Sequence, residues 1–370
     1  MARALVLARR GIGRTSPNPA VGAVLVRGGQ VIGEGWHRHP GGAHAEVEAL
    51  ADAHRRGSRI VGATLYVTLE PCSTHGRTPP CTVAIIEADI AEVVIGANDP
   101  NPRHAGRAVQ WLRRRGVRVI TGVLKEECVV LNASFNRWIV HRLPLVTVKA
   151  AMTLDGKIAT PGGESQWITG TRARAHAMRL RRETDAIVVG VGTVLADDPS
   201  LTVRSSTGRA LAPALSRLRR IILDSQARTP LKSRVVADDW HQLTTVVVTA
   251  GAPAHRVKAL QRRVRVIRVS ASRGRVSLPR LLRRLGSEEV TKLLVEGGGE
   301  VQDAFFRPGL VQEIAFYYAP KILGGERSIR AVGGVGARLE RHLIPLVDVR
   351  WSRLGGDLLM TAAVAPQRAS

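Results

Sequence analysis

The chain has 370 residues, 44% of them hydrophobic, with three cysteines and a formal net charge of +25. That length exceeds what one hydrophobic core ordinarily fills, so about two domains are expected, and the mixed composition excludes a disordered or low-complexity polymer. The cysteines are too few for a disulfide framework, no run of about 18 uncharged apolar residues occurs, and the short apolar stretch after Met1 lacks a cleavage site, so a cytoplasmic protein is expected rather than a secreted or membrane-spanning one.

Arginines are spread along the whole chain, aromatic residues are only 4%, and no basic tail stands apart, so the positive charge reads as a solvated surface rather than a nucleic-acid platform. In chain order, ARALVLARRG is a predicted helix, and AVGAVLVRGGQVIGEGW is a hairpin turning at Gly28-Gly29. HAEVEALADAHRRG repeats its apolar residues at helical spacing, ATLYVTLEP is a strand, and a second helix is predicted from Cys81 to Ile90. The strands EVVIGA and VRVITGV then bracket the amphipathic GRAVQWLRRRG, a pattern that predicts an α/β sandwich.

The pattern restarts near Leu143-Pro144, which divides the chain into domains 1–144 and 145–370. PLVTVKAAMTLDG opens the second half, followed by strands in DAIVVGVGTVL, RRIILDS, TTVVVTA, RVRVIRVS and KLLVEGGG separated by helical stretches, a second α/β sheet. Ser205 to Leu218 is expected to be a surface loop.

His44-Ala45-Glu46 at the start of one predicted helix, Cys72 just after a strand and Cys81 at the start of another helix carry the sharpest signal. A hydrolytic deaminase needs three protein ligands and one open position on zinc, so that a water there reaches a pKa of roughly 7 and can attack a ring carbon. One imidazole and two thiolates supply the ligands, one zinc per chain, and Glu46 is placed as the proton carrier that does not bind the metal. Eight residues, STHGRTPP, separate the two cysteines, where the common deaminase spacing is two.

In the second half GGGE after KLLVE offers a glycine-rich entry to a helix where a pyrophosphate could rest on backbone N–H groups. No G-x-G-x-x-G follows the first strand of that half, so the Rossmann fingerprint is missing.

PNPAVGAVLV, GGAHAEVEAL and LEPCSTHGRTPPC, then VKAAMTLDGKIAT, ESQWITG, GVGTVLADDPSLTVR, LDSQ, LVEGGG and YAPKILGG, resemble in this order the RibD family of bifunctional riboflavin-biosynthesis enzymes. The resemblance implies a cytidine-deaminase-like α/β/α sandwich followed by a dihydrofolate-reductase-like α/β domain that uses NADPH. It implies hydrolytic deamination of 2,5-diamino-6-ribosylamino-4(3H)-pyrimidinone 5′-phosphate, then reduction of the ribosyl group of the resulting uracil derivative to ribityl. Asn18, His75 and Arg77 would line the deaminase pocket, with Thr74 standing where the family usually has histidine.

Motif matching further implies cofactor contacts from Ala151, Trp167, Thr193, Asp197 and Ser225, and from the turn Gly298, Gly299, Glu300, Val301, Gln302, Asp303 and Ala304. Ser165, Arg181, Leu201, Arg204 and Glu296 would contact substrate. Arg181 and Arg204 suit a ribose phosphate, and Lys149 and Asp197 are candidate partners for the sugar carbon that receives hydride. The chain is thus expected to act on small phosphorylated pyrimidines, to engage neither nucleic acid nor membrane, and to form a homo-oligomer. The alternative, a nucleic-acid base deaminase, leaves the whole second half unexplained, and a purely structural zinc site would need a fourth protein ligand that is not spaced for it.

Overall fold

The computed structural model describes residues 1–74, 79–101, 104–165, 167–205, 209–212, 217–307, 309–337 and 339–365. They fall into two compact units, Met1–Leu143 and Pro144–Ser370.

In the first unit α1 (Ala2–Ala8) precedes a hairpin of β1 (Gly22–Arg27) and β2 (Gln30–Trp36). The chain continues through α2 (Ala45–Arg55), β3 (Thr64–Leu69), α3 (Cys81–Glu87), β4 (Glu92–Ala97), α4 (Arg107–Arg114), β5 (Arg118–Thr121), α5 (Lys125–Leu131) and α6 (Ala133–His141). The sheet order is β2-β1-β3-β4-β5, antiparallel at β1 and parallel from β3 to β5. Strand alternation sorts the two faces: Ala23, Leu25, Leu65, Val67, Val93 and Ile95 pack with α2, α3 and α4, while Val24 and Tyr66 meet α1 on the other. This is the expected three-layer sandwich.

Strand β2 and helix α2 pack closely. A Cβ added at Gly33 or Gly35 would collide with backbone of Ala45 and Ala49, so the helix rests directly on the strand through the small-residue stripe Ala45, Ala49 and Ala53. Gly96 on β4 likewise leaves room for Cys128 of α5, which gives that cysteine a packing role. The sequence reading did not anticipate α5 and α6. Their apolar periodicity is weak, since Val129, Val130 and Val140 are exposed and only Cys128 and Trp138 are buried.

The second unit runs β6 (Leu145–Thr153), β7 (Lys157–Ala159), α7 (Thr171–Arg182), β8 (Ala186–Gly190), α8 (Val191–Asp197), β9 (Arg219–Leu223), α9 (Arg234–Ala237), β10 (Thr244–Val248), α10 (Ala254–Gln261) and β11 (Arg265–Arg268). It ends with β12 (Ala271–Ser272), β13 (Arg275–Val276), α11 (Leu278–Ser287), β14 (Lys292–Val295), α12 (Gly299–Phe306), β15 (Glu313–Ala319), β16 (Ile329–Arg330), β17 (Leu346–Leu354) and β18 (Asp357–Val364). Nine strands form one sheet in the order β11-β10-β9-β8-β14-β6-β15-β18-β17, parallel from β11 to β15 and antiparallel at β18 and β17.

Two departures from the sequence reading stand out. The stretch DAIVVGVGTVL is not one strand: β8 stops at Gly190, where a Cβ would lie 2.8 Å from Val301 Cγ2, and α8 begins. The antiparallel edge of β15, β17 and β18 was not anticipated, and β17 is exposed at every position from Val347 to Arg353, so no buried face marks it as a strand. Within the expected surface loop, 206–208 and 213–216 lie outside the described residues; Arg204 bridges to Ala210 and Leu218 is buried.

Arg220 on β9 is 1% exposed and uses all five guanidinium N–H groups. It donates to Thr244 Oγ1, Ser200 O and Val235 O and pairs with both oxygens of Asp238 at 2.7 Å. Replacing it leaves a charge and several carbonyls without partners, so Arg220→Met is expected to lower the stability of the second unit by about 3–5 kcal/mol in urea-induced unfolding.

Candidate functional site

In the first unit, β2 places residues 33 and 35 on the face that carries α2, and the tight fit at Gly33 and Gly35 determines where α2 begins. His44 is the residue that starts it, with extended backbone, and Cys81 is the first residue of α3. Cys72 follows β3. His44 Nδ1 lies 3.2 Å from Cys81 Sγ and 3.5 Å from Cys72 Sγ, and the three ligand atoms all lie within 4.8 Å of one another.

A tetrahedral zinc with Zn–N of about 2.0–2.1 Å and Zn–S of about 2.3 Å requires N···S separations of roughly 3.5 Å. The three side chains therefore fit such an ion as they stand. The Cys81 backbone N–H donates to Cys72 Sγ at 3.3 Å, and the Cys72 thiol is held well below its ordinary pKa, first by its hydrogen bond with Cys81 and against the effect of burial. This is the electronic state a metal ligand needs.

Glu46 is 3% exposed, and its carboxyl lies against the Cys81 thiol. Burial raises its pKa to about 7, with the Cys72 sulfur adding to the rise. A carboxyl that both holds and releases a proton near neutrality suits proton transfer. Asn18 Nδ2 donates to His37 Nε2 at 3.0 Å, and His37 Nδ1 donates to Ala43 O at 3.0 Å. His75 and Arg77 lie outside the described residues, and Thr74 is exposed.

From sequence alone His37, like His39 and His54, has no partner at metal-ligand spacing and reads as a surface histidine, but the structure buries it. It is 3% exposed and meets the His44 ring edge-on at 5.3 Å. The signal was present in the sequence: Gly33, Gly35 and His37 keep the period of two that lines one strand face. Two further residues were missed. Glu70 accepts backbone N–H groups of Asp99, Gly106 and Ala108, tying the segment after β4 to the start of α4. Asn132 bonds both the N–H and the carbonyl of Ala20 at 2.8 and 3.0 Å, which anchors the PNPA segment that carries Asn18.

The second unit holds an open cleft of about 2090 Å³ at the C-terminal ends of β8, β14 and β6, where open α/β sheets place ligands. The starts of α8 and α12 both face it. A Cβ at Gly297 would lie 2.6 Å from Val301, and one at Gly299 would strike Arg330 O, whereas Gly298 is open. The run of glycines thus brings bare backbone N–H groups of a helix start to the cleft wall, which fits a dinucleotide pyrophosphate.

Lys149, Arg181 and Glu296 meet in this cleft. Arg181 Nε and Nη2 donate to the two Glu296 oxygens at 2.8 and 2.9 Å, Arg181 Nη1 donates to Thr202 O, and Lys149 Nζ lies 3.6 Å from Glu296. Arg181 therefore orders Glu296 instead of presenting an open fork to a phosphate. Burial alone would push the Glu296 carboxyl up, but Arg181 and Lys149 more than reverse that and hold it at about 2.

Ala151, Thr193, Ser225, Leu201 and Arg204 also line the cleft. Ser165 Oγ donates to Asp197 Oδ1 at 3.3 Å, Leu201 is buried with φ of +52°, and the exposed Trp167 ring lies under the Arg174 guanidinium. Of the cofactor residues expected, Asp303 alone does not line the cleft, and its carboxylate pairs with Arg307. Gln302 turns its amide inward to Gly297 O, so the first turn of α12 is the part that a cofactor can reach.

A three-ligand His/Cys cluster with a buried acid beside it, followed by a dinucleotide cleft, defines a zinc-dependent deaminase joined to a reductase. The RibD C-terminal domain model matches residues 144–360, and the cytidine and deoxycytidylate deaminase zinc-binding region matches residues 1–97. The riboflavin biosynthesis protein RibD of Actinobacillus pleuropneumoniae is 42% identical over 98% of this chain and 94% of its own length, and that of Escherichia coli is 41% identical over 88% of each.

Among solved structures, Acinetobacter baumannii RibD superposes with a TM-score of 0.85 at 34% identity, covering 99% of this chain and 98% of that one. A Thermotoga maritima diaminohydroxyphosphoribosylaminopyrimidine deaminase/5-amino-6-(5-phosphoribosylamino)uracil reductase gives 0.81 at 36% identity, covering 99% and 97%. The chain belongs to the RibD family: it is a bifunctional deaminase and reductase of riboflavin biosynthesis that uses zinc and NADPH.

With three ligands and no spare, loss of any one removes most metal affinity. His44→Ala and Cys81→Ser chains are expected to keep below about a tenth of the zinc of the unsubstituted chain after dialysis, measured by elemental analysis.

Proposed function

We propose that residues 1–144 carry the deaminase and residues 145–370 the reductase, acting in that order on 2,5-diamino-6-ribosylamino-4(3H)-pyrimidinone 5′-phosphate. The first step replaces the ring amino group by oxygen and releases ammonia. The second adds hydride at C1′ of the ribosyl group and a proton at the ring oxygen that leaves it, giving ribityl. The observation that carries this reading is the convergence of His44, Cys72 and Cys81 with the buried Glu46 beside them.

His44, Cys72 and Cys81 would hold the zinc, which when bound supplies a Lewis acid that lowers the pKa of a water at its open position. Glu46 takes up a proton and hands it to the departing ammonia. Asn18, ordered by His37, together with His75 and Arg77, would contact substrate. In the second domain NADPH, when bound, supplies the hydride. The first turn of α12, with Ala151, Trp167, Thr193, Asp197 and Ser225, would hold the cofactor. Ser165, Leu201, Arg204, Lys149 and Glu296 would contact the sugar phosphate, with Arg181 holding Glu296 in place and the Lys149 ammonium toward the reacting carbon.

The ligands are small phosphorylated pyrimidines rather than nucleic acid or lipid, and the site of action is the cytoplasm. Among the described residues no helix is long and apolar enough to cross a membrane, and all three cysteines are free thiols.

Glu46→Gln is expected to keep its zinc and lose about 10²–10⁴-fold in deamination rate, while NADPH oxidation with the deaminated substrate stays at the unsubstituted level. An unchanged deamination rate would remove Glu46 from the proton path.

We also propose assembly as a homo-oligomer through the second domain. β17 is an outer edge strand exposed along most of its length, and Val347, Val349 and Trp351 are 44%, 45% and 57% exposed. Such an edge is normally covered. Trp351→Glu is expected to lower the mass measured by light scattering toward that of a single chain, and an unchanged mass would exclude this edge as the interface.

A further inference from the structure

Reduction at the ribosyl carbon depends on where the Lys149 ammonium points, and Glu296 alone does not settle that. Both Glu296 oxygens accept short hydrogen bonds from Arg181, at 2.8 and 2.9 Å, while Lys149 Nζ stands 3.6 Å away, beyond hydrogen-bond length. The carboxylate therefore attracts the ammonium without aiming it. A second contact is aromatic: Lys149 Nζ lies 5.8 Å from the centre of the Tyr317 ring, within reach of its electron-rich face.

The sheet makes that contact. Strands β6 and β15 run parallel with Lys149 opposite Ala315 and Ala151 opposite Tyr317, so Lys149 and Tyr317 are diagonal neighbours on one face. Helix α7 covers this face through Ala173 and Ala177, which pack in one apolar cluster with Ala315, Tyr317 and Leu359. On either side of that alanine stripe α7 commits one polar side chain, Arg181 to Glu296 and His176 to Tyr317.

A phenylalanine would fill the place of Tyr317 in the cluster, so packing does not account for the hydroxyl. Tyr317 is 1% exposed, and its Oη lies 2.8 Å from His176 Nδ1, with the two rings edge-on at 5.8 Å. Burial, then the Glu296 charge, push the phenol up, so it is protonated at neutral pH; burial, then Arg179, push His176 down, so it is neutral there. Among the described residues the hydroxyl has no other hydrogen bond, so it donates to Nδ1 and the imidazole carries its proton on Nε2. His176 lines the cleft, and Tyr317 stands behind it.

We propose that Tyr317 and His176 are positioning residues for the reduction: His176 fixes the Tyr317 ring through its hydroxyl, and the face of that ring holds the Lys149 ammonium toward the sugar carbon that receives hydride. The inference rests on the role proposed for Lys149 above. A reacting-centre group displaced by about 1 Å can cost about 10²-fold in rate, so a loosened ring reaches the chemistry without touching the substrate.

The test is steady-state NADPH oxidation by the full chain with the deaminated substrate, with rates expressed per NADPH-binding site counted by fluorescence titration so that unfolded chain is not included. Tyr317→Phe keeps the ring and removes the link, and His176→Leu removes the acceptor. Each is expected to lower kcat about tenfold with KM changed less than about twofold. His176→Asn, whose amide oxygen can stand near the Nδ1 position, should recover most of the rate, and the Tyr317→Phe/His176→Leu double variant should be no slower than either single one, because both break the same link. An unchanged kcat, a loss confined to KM, additive losses, or His176→Asn as slow as His176→Leu overturns the proposal. Lys149→Met separates it from the reading beneath: reduction by that variant at the unsubstituted rate sinks the role of Lys149 and this proposal together, whereas a slow Lys149→Met beside an unaffected Tyr317→Phe overturns the positioning role alone.

Discussion

The contact between Gly33 and Gly35 of β2 and the Ala45–Ala49–Ala53 stripe of α2 is the constraint on which the metal centre rests. Glycine in a strand interior is entropically unfavourable, and here it is offset by letting a helix lie against the strand with no side chains between. The approach sets the height and rotation of α2, and with them the position of His44 at its start and Glu46 one turn-edge further on. Any side chain at residue 33 or 35 would lift the helix away from the sulfurs contributed by the segments after β3 and at the head of α3. Metal geometry tolerates errors of only about 0.2 Å, so the ligand set depends on a packing surface that contains none of the ligands.

The second unit solves a different problem, how to keep a carboxylate charged where little water reaches. Glu296 is nearly enclosed, and its charge is sustained by the two-pronged Arg181 and by Lys149. Breaking one member would leave the others as unpaired buried charges. The trio therefore acts as a unit, and Arg181, which motif matching put directly on substrate, is engaged with the protein through three of its donors.

Much of this was legible from residue order. The His44, Glu46, Cys72 and Cys81 pattern, the hairpin at Gly28-Gly29 and the parallel strands of the second half each leave a local signature, a ligand spacing or an apolar period. Features that depend on contacts between distant segments were not legible. His37 was misread because burial of a histidine depends on what covers it, although its strand period pointed inward. Helices α5 and α6 bury too few side chains to show a period. The edge hairpin of β17 and β18 turns on Gly355-Gly356, but β17 exposes the residues that would have marked an inner face. Asp303 was assigned to the cofactor by its place in a motif, and a motif does not show that its carboxylate is taken up by Arg307 one turn further along α12.

The Asn132 clasp on Ala20 spans 112 residues and substitutes a side-chain amide for a missing neighbouring strand. It means that the smallest autonomous catalytic fragment is larger than the metal-binding region itself, which ends at residue 97. A truncated polypeptide stopping there would still contain all three ligands and the acid, yet the loop with Asn18 would lose the clasp at Ala20 and keep its bond to His37. During synthesis, too, Ala20 gains that clasp only after the ribosome has released the junction of α5 and α6, so the pocket is completed late in the emergence of the first domain.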